Sequence, residues 1–361
     1  MTPQTMQAAV LYGKEDVRVE DIPVPKISKG EILLKIGAAL TCGTDLKVYR
    51  RGYHATMIKP PSVFGHECAG TVVKINPGET PPSFTLGERL VVANSAPCGA
   101  CYYCKRGQEN LCDDLHFLNG AYAEYLRIPA RFVEKNSYRI PDCLSFAEAA
   151  MVEPLACVIH GIEETAPKVG DVVAVLGLGP IGLMFSALLK HQGLTVLGVG
   201  RHAPRLELAR SLGADEVWDA DPEGTWMKSL QGRGPLDIII EATGRSETWE
   251  QAIHLVRKGG TVNLFGGCPA GSRVILDTNR MHYDQITLKS SFHHKPSSIR
   301  AALDAIAGGV VQPKRFITDE KSLEELPALL AAMLHSKRVV KTCILPCRMP
   351  AQVLGLGLGN K

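Results

Sequence analysis

No stretch of the 361-residue chain approaches the roughly 18 uninterrupted apolar residues that a membrane-crossing helix needs. The opening residues, MTPQTMQAAVLYGKEDVRVED, carry charges where a secretory leader needs an apolar centre, so a soluble, cytoplasmic protein without a membrane partner is expected. An excess of one charge is also missing: 40 basic and 37 acidic residues leave +3. With no basic run long enough for a nucleic-acid arm, nucleic acid is excluded as a partner and a small molecule is favoured. There is no repeat of solenoid length. An apolar content of 45% argues against disorder, and the length suffices for two domains with cores of their own.

Short β-type runs cut by Gly and Pro fill residues 7 to about 150, among them AAVLY, VRVEDIPV, EILLKIGAAL, CAGTVVKI and ERLVVAN. They predict a mostly β domain with functional loops, over 1–154. From 155 to 292 β-rich and helical runs alternate (DVVAVLG, IGLMFSALLKHQG, TVLGVG, APRLELARSLGA, LDIIIEATG), the pattern of a doubly wound parallel sheet, an α/β Rossmann domain. Helices and a closing strand, RVVKTCILP, follow in 293–361 and are expected to return to the first domain. The Gly-rich tail AQVLGLGLGNK is expected to fray.

Four of the eleven cysteines crowd into CGACYYCKRGQENLC, residues 98–112. Clustered cysteines in a reducing cytosol are more often metal ligands than disulfides. Cys98, Cys101, Cys104 and Cys112, spaced C-x2-C-x2-C-x7-C, suit four thiolates around zinc, a closed site with no place for substrate. The stretch therefore reads as a brace for an irregular loop rather than a reaction centre.

VVAVLGLGPIGLMFSALLK sets Gly177, Gly179 and Gly182 in G-x-G-x-x-G spacing, with Pro180 and Ile181 between, after a strand and at a helix start. Such glycines permit a tight turn, close approach to a pyrophosphate and close helix packing, while the helix N-terminus offers N–H groups to phosphate. About 20 residues on, an acidic residue would favour the free ribose hydroxyl of NAD. GVGRHAPRLELA has Gly200 and Arg201 there. Arg201 can take a 2′-phosphate, which favours NADP, or stack on adenine and leave NAD usable. His202 and Arg205 can assist, unless Arg205 only occupies the first turn of the next helix.

An open metal site needs about three protein ligands and a vacant position. TCGTDLK supplies Cys42, VFGHECAG supplies His66 and Glu67, and MVEPLAC supplies Glu153. Each alone is unremarkable: a lone cysteine usually packs, a lone histidine usually hydrogen-bonds, and a Glu before Pro often marks a helix end. Together with the cysteine lobe and the glycine loop, in this order, they are hard to explain by accident.

On CGTD at 42–45, GHE at 65–67, the lobe, EPLAC at 153–157 and GLGPIG at 177–182, the chain resembles the zinc-dependent medium-chain dehydrogenase/reductase superfamily, in its sorbitol, polyol and threonine dehydrogenase branch. The resemblance covers all but the last dozen residues. It implies a GroES-like catalytic domain, two zinc ions per chain, NADP or NAD, and an alcohol or polyol substrate whose hydride passes reversibly to the nicotinamide. Cys42, His66 and a carboxylate become catalytic zinc ligands, with Glu67 and Glu153 competing for that place. Glu153 stands where simple alcohol dehydrogenases have a second cysteine, which favours the polyol-like branch.

Thr44 becomes the hydroxyl that passes the alcohol proton on, and Asp45 orients a histidine ligand. Lys47 replaces a relay histidine common in relatives; an ordinary lysine is a poor shuttle, and it is assigned only the attraction of an anionic group. Thr243 of EATG, Phe265 and Gly267 of LFGG, and Ser291 are expected at the nicotinamide half. Tyr53, Phe117 and Phe292 are candidates to line a substrate pocket. His293 and His294 are read as surface or interdomain polar residues rather than a metal pair, and Cys68, Cys143, Cys157, Cys268, Cys343 and Cys347 as packing or incidental thiols. A homodimer or homotetramer is implied, joined through the edge of the cofactor-domain sheet. The competing readings are an NAD-linked threonine-type dehydrogenase and a catalytically silent dinucleotide sensor with structural zinc only.

Overall fold

The computed structural model describes residues 2–53, 57–79, 83–335 and 340–346. Cys347 and the Gly-rich tail lie outside them. Two compact units are present: one is built from residues up to Glu153, from Ala302–Ala307 and from Gln312 onward, and the other from Pro154–Ala301 and Gly308–Val311.

The first unit centres on the strand Ile32–Leu40, whose sequence ILLKIGAAL is buried along nearly its whole length. A continuous apolar run of this kind suits the middle of a sheet. Glu67–Ile75 pairs with it antiparallel on one side and Lys341–Leu345 on the other, and Tyr125–Ile128 also pairs with it. Arg89–Val92 with Ser137–Arg139, and Ile317–Ser322, extend the two sides. Leu40 lies opposite Glu67 in one ladder and Cys343 in the other. Antiparallel neighbours begin where the central strand ends, so His66–Glu67 and Lys341 arrive where Leu40 hands over to Thr41 and Cys42. That register assembles the site.

The core of this unit packs Leu11, Ile32, Leu34, Ile36, Phe64, Tyr122 and Phe132 together. Phe64 and Tyr122 meet edge to face, with ring centroids 5.0 Å apart. The residues that follow Cys42 form a helix, Gly43–Arg51, with Cys42 as its N-cap. Its start is a capping box: the Cys42 sulfur accepts from the Thr44 N–H at 3.4 Å, and the Asp45 carboxylate accepts from the Cys42 N–H at 3.0 Å.

In the second unit six parallel strands run in the order Glu216–Asp219, Thr195–Gly200, Val172–Leu176, Ile238–Glu241, Thr261–Leu264, Thr287–Lys289. This is the doubly wound order with a switch point between Val172–Leu176 and Ile238–Glu241, where such sheets bind nucleotides. Val173, Ala174, Val175 and Leu176 are all essentially buried. Helices such as Pro180–His191 and Ser246–Leu255 link the strands.

Candidate metal and dinucleotide sites

Ligand atoms of Cys42, His66 and Glu67 lie within 4.8 Å of one another in the first unit. His66 and Glu67 are buried. The His66 Nδ1 is 3.1 Å from Asp45 Oδ1, which ties one ring nitrogen and leaves Nε2 as the ligand. Asp45 is fixed in turn: its Oδ2 accepts from the Tyr122 hydroxyl at 2.6 Å, and that hydroxyl also lies 3.1 Å from the Leu40 carbonyl oxygen. Burial would pull the His66 imidazole down, but the Asp45 carboxylate and the Cys42 thiol outweigh it and raise it well above its ordinary value. Burial pushes the Glu153 carboxyl up to about 7, against the pull of His66. Sulfur, imidazole and carboxylate donors whose ligand atoms lie this close together fit a divalent metal of zinc type.

Gly65 of the GHE motif has φ +89°, and a Cβ there would meet Tyr122 ring carbons at 2.7 Å. The glycine lets the chain turn into His66 beneath the ring that holds Asp45. Sequence reasoning found Cys42, His66, Glu67 and Asp45. It missed Tyr122, which carries no motif.

In the cysteine lobe the Cys98 and Cys104 sulfurs are 3.9 Å apart, and those of Cys101 and Cys112 are 3.8 Å apart. Disulfides are excluded, since bonded sulfurs lie about 2.05 Å apart. Four ligands about 2.3 Å from a zinc at the centre of a tetrahedron give sulfur–sulfur edges of about 3.8 Å. Backbone N–H groups of Ala100 and Cys101 point at the Cys98 sulfur, each at 3.3 Å, as thiolates require. Those of Cys104 and Asp113 draw the Cys101 thiol down to about 6.

The glycine loop of the second unit divides its work as the spacing predicts. Gly177 has φ +106°, and a Cβ there would press on Thr243 at 2.7 Å; a Cβ on Gly182 would fall 1.8 Å from the Gly177 carbonyl oxygen. Gly179 has nothing within 4 Å of its Cβ position. That open glycine is the N-cap of Pro180–His191, with Pro180 in the first turn and no side chain closing the helix end, so the N–H groups there are available to a phosphate. Leu178 leans over Gly198 and Gly200 of Thr195–Gly200; a Cβ on Gly200 would meet the Leu178 Cβ at 2.7 Å.

Glu241, which sequence reasoning also missed, is fully buried and accepts from the Thr243 N–H at 2.8 Å and from the Thr243 hydroxyl. It clamps the EATG turn at the switch point. Ser291 donates to Asn263 Oδ1 at 2.8 Å, and the Asn263 amide donates to the Gly161 carbonyl at 2.9 Å. Phe265 packs edge to face on Phe185, and Gly267 has open space at its Cβ position. Arg201 and His202 are exposed, while Arg205 lies in the first turn of Ala203–Ser211, half-buried.

Among the other predicted residues, Lys47, Tyr53 and Phe292 are exposed. His294, read as a surface or interdomain polar residue, is 1% exposed, with its ring centroid 3.9 Å from that of His293. Cys68 and Cys343 are buried thiols pushed up to about 12 by burial, which makes them inert. Cys143 is exposed, Cys157 and Cys268 are partly buried, and none of the three is in a disulfide.

Residues 28–142 match the alcohol dehydrogenase GroES-like domain family, and residues 180–308 the zinc-binding dehydrogenase family. The chain is 31% identical over 356 residues to the sorbitol dehydrogenase of Bacillus subtilis (strain 168), across 96% of this chain and 99% of that one. A solved structure described as a zinc-binding dehydrogenase from Sinorhizobium meliloti 1021, bound to NADP, has a TM-score of 0.87 at 30% identity and covers 95% of this chain and 100% of its own. An alcohol dehydrogenase from Escherichia coli CFT073, complexed with NADH, has a TM-score of 0.86 at 25% identity, with 95% and 100% covered. None of the described helices is long and apolar enough to cross a membrane. Agreement of these full-length likenesses with the cysteine lobe and the Cys42–His66–Glu67 group decides the assignment: the chain belongs to the zinc-binding medium-chain dehydrogenase/reductase family and is a zinc-dependent NAD(P) oxidoreductase.

Proposed function

We propose that the protein is a reversible, NADP-preferring dehydrogenase of secondary alcohols and polyols. One observation carries the cofactor preference: Gly200 ends the second strand of the nucleotide sheet where an acidic residue would select NAD, and the exposed Arg201 follows it. Packing of Leu178 against Gly200 keeps that position free of a carboxylate. The likeness to a sorbitol dehydrogenase supports a polyol substrate, as does Glu153 in place of a second ligand cysteine.

In this reading Cys42, His66 and a carboxylate from Glu67 or Glu153 hold the catalytic zinc, while Cys98, Cys101, Cys104 and Cys112 hold the structural one. The Cys42 sulfur accepts a hydrogen bond from the Thr44 N–H at 3.4 Å, at the start of Gly43–Arg51. Zinc supplies Lewis-acid activation of the alcohol or carbonyl oxygen, and the dinucleotide supplies the hydride acceptor. Thr44 accepts the proton released from the alcohol and passes it outward. Gly177, Gly179, Pro180, Ile181 and Gly182 cradle the pyrophosphate, Arg201 with Arg205 reads the 2′-phosphate, and Thr243, Phe265, Gly267 and Ser291 frame the nicotinamide half. The enzyme works in the cytoplasm as a homodimer or homotetramer, joined through an edge of the cofactor-domain sheet.

Steady-state assays with NADP and NAD, across polyols, sugars and hydroxy amino acids, test the proposal. A higher kcat/KM with NADP is expected, and Arg201→Ala should weaken NADP binding about 10- to 100-fold, the range for one charge-assisted contact. A preference for NAD, or an Arg201→Ala variant that binds NADP normally, would overturn the cofactor assignment. Turnover confined to hydroxy amino acids would overturn the substrate class.

A further inference from the structure

Lysine is among the side chains least often fully buried, yet Lys341 is 2% exposed at the first position of Lys341–Leu345. Its ammonium donates to both oxygens of Glu67, at 2.7 and 2.5 Å, and to the Thr41 carbonyl oxygen at 3.0 Å. All three N–H groups are thereby used. Thr41 precedes Cys42 and Glu67 follows His66. One cation from a strand 274 residues beyond Glu67 is therefore attached to both segments that carry the sulfur and imidazole donors.

We propose that Lys341 is the positioning residue of the metal centre: it grips Glu67 by both oxygens and so limits how strongly that carboxylate shares a metal held by Cys42 and His66. This rests on reading the Cys42–His66–Glu67 cluster as the catalytic metal site. A carboxylate whose two oxygens already face an ammonium has less electron density to give a second cation, and its direction is fixed. Without the ammonium, Glu67 becomes a buried anion whose nearest compensating charge is the metal.

The experiment uses the full-length protein with cobalt in place of zinc. Lys341→Met, Lys341→Arg, Glu67→Gln and the double variant Lys341→Met/Glu67→Gln are compared by visible d–d absorption and by the rate of metal loss to excess chelator. Spectra are taken as differences from Cys42→Ser, which removes the contribution of the cysteine lobe. Lys341→Met should shift and weaken the cobalt bands as Glu67 joins the metal, and slow metal loss about tenfold, the scale of an outer-sphere partner's effect. Lys341→Arg should restore wild-type bands. In the Glu67→Gln background, adding Lys341→Met should change neither readout. If Lys341→Met does not fold, Lys341→Gln, which keeps a neutral amide donor, gives the same comparison. Wild-type bands and release rate in a folded Lys341→Met or Lys341→Gln protein would overturn the proposal, as would a change that persists without Glu67. A wild-type protein that binds cobalt only at the cysteine lobe would instead overturn the metal-site reading and take the role of Lys341 with it.

Discussion

Gly65→Ala and Gly87→Ala put the same methyl group on almost the same backbone, with φ +89° and +86°, in very different surroundings. At Gly87 the added Cβ meets nothing within 4 Å; at Gly65 it falls 2.7–2.8 Å from three carbons of the buried Tyr122 ring. The left-handed conformation costs each variant about 1–2 kcal/mol. Overpacking against a ring with no free volume adds about 1–3 kcal/mol at Gly65 only, so Gly65→Ala should lose about 2–5 kcal/mol in all. Trp218, Trp226 and Trp249 all lie in the second unit. Unfolding of the first unit is therefore better followed in urea by hydrogen exchange across residues 32–40, with circular dichroism alongside. Displacing Tyr122 also removes the hydroxyl that holds Asp45, and zinc should then bind about tenfold more weakly. Equal losses for the two alanines, with zinc affinity unchanged in both, would show that the Tyr122 ring does not bear on the GHE turn.

Cys104→Ser should lower zinc content from two ions per chain to one and open the lobe to proteolysis; retention of both ions would refute the four-thiolate site. Asp45→Asn should bind metal about 10- to 100-fold more weakly while keeping its secondary structure, and an unchanged metal titration would separate Asp45 from the site. His160 is buried, and burial, reinforced by Lys295, depresses its pKa while Glu163 and Glu164 oppose the shift. The unfolded histidine binds a proton near pH 6.5 while the folded one resists it, so stability should fall as pH drops below about 6.5. Melting temperatures at pH 7.5 and 5.5 should differ less for His160→Asn than for wild type; an equal difference would clear His160 of the effect.

Much of the molecule was legible from adjacent residues. Cysteine spacing, the glycine pattern after an apolar run, and the alternation of β and helical stretches are short-range properties, and each stayed with its element. The helix Gly43–Arg51 was legible in principle, because Cys42 and Asp45 stand at capping-box positions, but the motif CGTD drew attention to chemistry instead. Glu241 closes the EATG turn through Thr243, two residues on, but Tyr122 and Lys341 carry no local signal. A tyrosine and a lysine become important only through what a distant segment places beside them.

By itself the sequence determined the two-part α/β architecture, the cysteine lobe and the residue types able to bind zinc and a dinucleotide, because those follow from contacts within a few residues along the chain. Only the tertiary structure decided that Tyr122 holds Asp45 against His66 and that Lys341 faces Glu67. Both depend on strand register, which brings together residues 77 and 274 positions apart, and on burial, which makes each such pairing obligatory.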